Sequence, residues 1–245
     1  MNHEYPSTNA SAESHFSGFS AEHPRTVEAP EGTDPELFEL WIQVVERYPI
    51  LSRVEIITPS DVHRLQFTGG EFVLPNEEYP DPAIILVPGN EKDFEKLKQD
   101  RRVAAQITAE SLGISFEDLS PRLLKNAIFL HELGHAYDYL SNVASDAEIG
   151  QENAPMVWRD FFFRQMETLP VPGLSPSELK ASLVSFPTLD AFLDDRPKTR
   201  ERLLQLDVTT IEQLLEIQER AYRSLPKELF ADQFAARWLN QQPQR

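Results

Sequence analysis

Between Leu123 and Leu140 the chain is apolar on nearly every side of a helix: Leu123, Leu124, Ala127, Ile128, Phe129, Leu130, Leu133, Ala136 and Leu140. In the middle of that run stand His131, Glu132 and His135. A helix that is apolar all round is a buried helix. Each unpaired polar group inside it costs about 1–3 kcal/mol, so these three side chains need partners. Two histidines at i and i+4 project from one helix face about 40° apart. Their imidazoles can grip one zinc ion, with Glu132 beside the water that the ion activates. A pair of hydrogen-bonded core histidines is the plainer reading of the same residues. Gly134, inside the helix, costs about 1 kcal/mol relative to alanine. Close approach of another element accounts for it; simple tolerance is the alternative.

A catalytic zinc takes three protein ligands and keeps one position open. The chain of 245 residues has no Cys and six His, none of them after His135. The third ligand is therefore expected to be a carboxylate, unless His63 returns to the site. A metzincin pattern would need a ligand where Ser141 stands and a glycine where Asp138 stands. Asp138 lies on the histidine face one turn on, as a ligand or, in the favoured reading, as a group that supports the ligands or caps the helix. In Lys227–Leu239 (KELFADQFAARWL), Gln233, Arg237 and Asn240 mark the solvent side of a helix, whereas Glu228 and Asp232 lean toward its apolar stripe. Inward carboxylates are costly without a cation or a donor. Glu228 as ligand, with Asp232 accepting the free N–H of a ligand histidine, satisfies both. The alternative is a buried salt bridge to Arg101, Arg102 or Arg220. Glu148 and Glu152 are rival ligands, although Gly150 between them argues against a regular helix. Glu212, Glu216 and Glu219 read as a solvated face.

HELGHAYDY (His131–Tyr139) and ELFADQFAARWL (Glu228–Leu239) resemble the two ligand helices of gluzincin metallopeptidases. They are most similar to the catalytic domain of anthrax lethal factor and related bacterial HExxH toxin domains. The resemblance covers only these two stretches. It implies a zincin-like fold, zinc held by His131, His135 and Glu228, Glu132 as catalytic base, Asp232 supporting the site, and peptide bonds as substrate. That family also carries a tyrosine seven residues before its glutamate ligand. Here Tyr222 stands six before Glu228, open either to oxyanion stabilisation or to helix packing. The gap from His135 to Glu228, 93 residues, is longer than the family's and implies a helical insertion over about 156–217.

The rest of the chain reads as α+β, a small sheet followed by helices. Residues 1–35, with six acids and one base, are expected to be a disordered acidic tail before a domain at 36–245. A helix at Leu37–Tyr48 precedes strand-like runs at Val54–Thr58, Val62–Thr68, Glu71–Leu74 and Ala83–Val87, with Gly69-Gly70 as a hairpin signal. Lys92–Leu112 reads as one amphipathic helix. Ser120-Pro121 reads as a helix start. Further helices are expected over 155–168, 176–184, 198–206, 210–223 and 226–240, with Thr209 and Glu212 forming a capping box.

The net charge of −17 argues against nucleic acid and against anionic membranes. The start of the sequence, without a basic stretch followed by an apolar run, is not expected to be a secretory signal, and no apolar run is long enough to span a bilayer, so the expected location is cytoplasmic, or exported without a cleavable signal. The expected partner is a protein or peptide substrate, whose backbone the sheet's edge strand would hold. Ala83–Val87 is a candidate for that strand, although a buried core strand is its plainer reading. A zinc-scaffold binding module without catalysis is the alternative. Glu132 argues against it, because a purely structural site has no use for a base there. A deformylase-like hydrolase would typically recruit a Cys ligand, which the chain lacks.

Overall fold

Three short strands form one mixed sheet in the computed structural model, which describes residues 32–58, 69–86 and 89–241. They are β1 (Glu55–Ile57), β2 (Gly70–Val73) and β3 (Ala83–Leu86), in the order β1-β3-β2. β1 runs parallel to β3, with Ile56 opposite Ile84, and β2 runs antiparallel to it, with Phe72 opposite Ile84. Of the two readings of Ala83–Val87, the buried core strand holds over its described part, and its use as a substrate-holding edge is corrected. β3 has a neighbour on each side and buries Ala83, Ile84 and Leu86, as an apolar run in mid-sheet should. Val87, the strand expected at 62–68 with its hairpin, His63, and residues 1–31 of the expected tail lie outside the described residues.

The remainder is mostly helical, so the architecture is α+β. α1 (Pro35–Arg47) is capped by Asp34 and is followed by a 3-10 turn, Pro49–Arg53. The cap residue also pairs with Lys125 at 2.8 Å, tying the first described turn to the central helix. The single helix expected over 92–112 is two, α2 (Glu91–Asp100) and α3 (Arg102–Leu112). Arg101 breaks it by leaving helical geometry, at φ −117° and ψ 45°. α4 (Pro121–Asp138) begins where the sequence indicates, with the Ser120 hydroxyl accepting from the Leu123 amide, and runs into a π turn, Tyr139–Val143.

Five helices separate α4 from the last one: α5 (Ala154–Met166), α6 (Pro176–Leu183), α7 (Leu189–Leu193), α8 (Pro197–Gln205) and α9 (Ile211–Arg223). Residues between Val171 and Leu214 pack an apolar cluster of their own around Phe192. The α9 cap sits one residue beyond expectation. Thr210 and Gln213 form the box, because the Gln213 carbonyl reaches the amides of both Thr209 and Thr210.

α10 (Pro226–Gln241) lies against α4, and both feed the main core together with α1, β1 and β3. Gly134 explains how closely they meet. A Cβ built there would stand 2.7 Å from the Ala231 Cα, so close approach, not tolerance, is the reason for the glycine. Among the described residues no helix is long and apolar enough to cross a membrane.

Candidate metal centre

The crossing of α4 over α10 brings His131, His135 and Glu228 together, all buried. The two Nε2 atoms are 3.0 Å apart. Glu228 reaches His131 Nε2 with Oε2 at 3.3 Å and His135 Nε2 with Oε1 at 3.5 Å. Atoms about 2.0–2.2 Å from a tetrahedral ion lie roughly 3.3–3.6 Å from one another. Both Glu228 separations fall in that range and the Nε2 pair is slightly closer. The spacing therefore suits a small cation, and the three side chains could hold a metal ion.

The protonation pattern agrees with the donor set. Burial and Arg223 disfavour a charge on His131, but hydrogen bonds to Asp232 and Glu228 outweigh them and raise its pKa to about 9. Burial lowers His135 to about 4. Burial would raise Glu228, yet His135, His131 and Arg223 hold it down at about 2. Two facing ring nitrogens and an ionised carboxylate thus share one positive charge that a cation can replace.

Asp232 lies behind His131, its Oδ1 accepting from Nδ1 at 2.8 Å. That bond keeps a proton on Nδ1, so that Nε2 is the nitrogen that gives up its proton and offers a lone pair to an ion. The same oxygen is bonded by Arg223 at the end of α9. Arg223 is thus the salt-bridge partner, not Arg101, Arg102 or Arg220. Arg101 faces Glu219 at 3.5 Å, and Arg220 pairs with Glu216 at 3.2 Å. Glu219 is buried by its contact, which corrects its reading as solvated. Glu148 and Glu152 are exposed on a turn and take no part in the cluster.

Asp138 is not in the metal cluster. It is buried and accepts from Asn142 at 2.9 Å, from the Trp158 indole at 3.0 Å and from the Lys227 ammonium at 3.1 Å. Glu132 turns from α4 toward the sheet. Its Oε2 accepts the Phe72 amide of β2 at 2.9 Å. Burial raises its pKa, His131 opposes and Glu228 reinforces the rise. Tyr222 is raised well above 10, by burial and then by Glu228, to which its hydroxyl hydrogen-bonds. Its ring also meets Phe162 edge-on at 6.0 Å, so it both packs and faces the site.

His131, Glu132, His135, Arg223, Glu228 and Asp232 border one cavity of about 450 Å³, with β2 along one wall and Trp158, Phe162 and Tyr222 along another, whereas Asp138 and Lys227 lie outside it. Sequence reasoning missed Arg223, Lys227, Trp158 and Phe72. The signal for Lys227 was present: an inward Asp138 one turn after His135 calls for a cation, and Lys227 immediately precedes the ligand candidate. Compared with known proteins, the chain matches no family model, no curated protein and no solved structure.

Proposed function

We propose that the protein is a zinc-dependent peptidase of the gluzincin kind on a zincin-like fold. The observation that carries the reading is the convergence of His131, His135 and Glu228 at one buried point, with Glu132 and Tyr222 bordering the same cavity. Two imidazoles and one carboxylate are a donor set of catalytic zinc, which leaves a position for water or substrate. When bound, zinc supplies Lewis acidity, making water a nucleophile near neutral pH and polarising a carbonyl.

The chain's own residues do the rest. Glu132, with its raised carboxyl, takes a proton from the attacking water and delivers it to the departing amine. Tyr222 keeps its proton at neutral pH and donates to the oxyanion that develops on the former carbonyl oxygen. The substrate backbone adds to β2 on the side away from β3, where no strand pairs with it among the described residues and where Gly70, Glu71 and Phe72 line the cavity. Asp232 and Arg223 keep His131 oriented.

Digestion of a peptide library, with and without chelator, tests the proposal. We expect chelator-sensitive cleavage by the wild type and none by Glu132→Gln, which retains its zinc. Cleavage surviving in Glu132→Gln overturns the assignment of the base. A wild type that holds zinc and cleaves no peptide is instead a scaffold used for binding.

A further inference from the structure

Lys227 and Asp138 form an ion pair sealed from solvent, with side-chain exposures of 0% and 2%. A buried pair of this kind is poor value for stability alone, since well-packed apolar residues of similar volume serve as well or better. Its position gives it another use. Lys227 is the residue before Glu228 on α10, and Asp138 follows His135 by less than one turn of α4. The pair therefore joins the two helices at the level of the site and through residues adjoining two of the three metal-binding candidates.

Trp158 of α5 completes the cluster. Its indole N–H donates to the same Asp138 oxygen that Lys227 bonds, and the Lys227 ammonium lies 3.8 Å from the indole ring centre. The other side of this arrangement is His135, whose ring meets Trp158 edge-on at 6.0 Å. His131 has Asp232 to hold its Nδ1. His135 has no such holder, its Nδ1 lacking a hydrogen-bond partner among the described residues. Apolar contact keeps two helices together but leaves their rotation loosely defined. A charged group with directed bonds to Asp138, braced by the indole, defines the rotation of the first α10 turn.

We propose that Lys227 is a positioning residue of the metal centre: held by Asp138 and Trp158, it sets the first turn of α10 so that Glu228 meets His131 and His135. The inference rests on the metal-centre reading above, but not on hydrolysis.

The test is the zinc affinity of the chelator-stripped full chain, by competition with a chromogenic chelator, set beside the melting temperature of the same protein in excess chelator. Two variants are used. Asp138→Asn keeps the shape and removes the charge that holds Lys227. The double variant K227M/D138N removes both charges, so no unpaired ion stays buried. We expect zinc affinity to fall about 10–100-fold in both, the range typical of groups that orient metal ligands. In the double variant we expect that fall although the metal-free melting temperature stays near that of the wild type. Zinc affinity returning to the wild-type level in the double variant marks a merely structural pair and overturns the proposal. If the double variant does not fold, Asp138→Asn decides, and unchanged affinity there overturns it equally. A wild type that binds no zinc overturns both this inference and the reading beneath it. A wild type that binds zinc and cleaves nothing removes only the peptidase reading.

Discussion

Gly134 of α4 meets Ala231 of α10 backbone to backbone: a Cβ at position 134 would lie 2.7 Å from the Ala231 Cα and 3.1 Å from the Phe234 Cβ. The contact falls between His131 and His135 on one helix and between Glu228 and Asp232 on the other. The closest point of the helix crossing is thus also the level of the candidate metal centre.

Gly134→Ala should separate helix propensity from site geometry. Alanine gains about 1 kcal/mol of propensity, but overpacking a filled interface costs about 1–3 kcal/mol. We expect a lower melting temperature together with weaker zinc binding, because separating the helices withdraws Glu228. A variant as stable as the wild type with unchanged zinc affinity would show that the crossing has slack.

Asp232→Asn keeps the shape but removes the carboxylate that holds His131 Nδ1 at 2.8 Å and pairs with Arg223. A loss of about 10–100-fold in zinc affinity is expected, measured by chelator competition. Unchanged affinity would mean that Asp232 serves Arg223 alone.

Zinc binding should release a proton near neutral pH. With its pKa raised to about 9, His131 is protonated in the metal-free protein at pH 7.5, and its Nε2 must lose that proton to bind. Calorimetry in buffers of different ionisation enthalpy should show release of about one proton at pH 7.5, fading above pH 9. The linkage has a definite sign. A folded pKa above the unfolded value of about 6.5 stabilises the metal-free protein below pH 6.5, and that contribution is lost as pH rises through about 9. His135, lowered to about 4, acts oppositely: the unfolded chain takes up its proton more readily, so metal-free stability falls as pH drops from about 6.5 to about 4. Zinc binding without proton release at pH 7.5 would contradict the assignment of His131.

Tyr222→Phe tests whether the hydroxyl beside Glu228 acts on the reaction or only packs on Phe162. Removing one oxyanion donor typically costs 10²–10³ in kcat. We expect a kcat loss on that order with zinc content and KM little changed. An unaltered kcat assigns Tyr222 to packing.

Much of the site was legible because its signals are local. The i, i+4 histidines, the Glu228 and Asp232 spacing, and the Ser120-Pro121 start each depend on one helix, where periodicity fixes which side chains share a face. Long-range matters were not legible. Strand order is a property of topology, so the apolar run at Ala83 could be read as a core strand or as an edge, and the fold places it in the middle. The inward Asp232 announced a cation but not which one: several arginines were candidates, and the end of α9 delivers Arg223. The break at Arg101 leaves no mark in a run of good helix formers without glycine or proline. Glu219 looked solvated because its partner, Arg101, comes from a distant helix.

The proposed function turns on whether His131, His135 and Glu228 hold one zinc ion. Its most direct test is the zinc content of purified protein after gel filtration, measured by elemental mass spectrometry for the wild type and for Glu228→Ala. One zinc per wild-type chain is expected, with a clear loss in Glu228→Ala. A wild type without zinc, or a Glu228→Ala protein with its full complement, would contradict it.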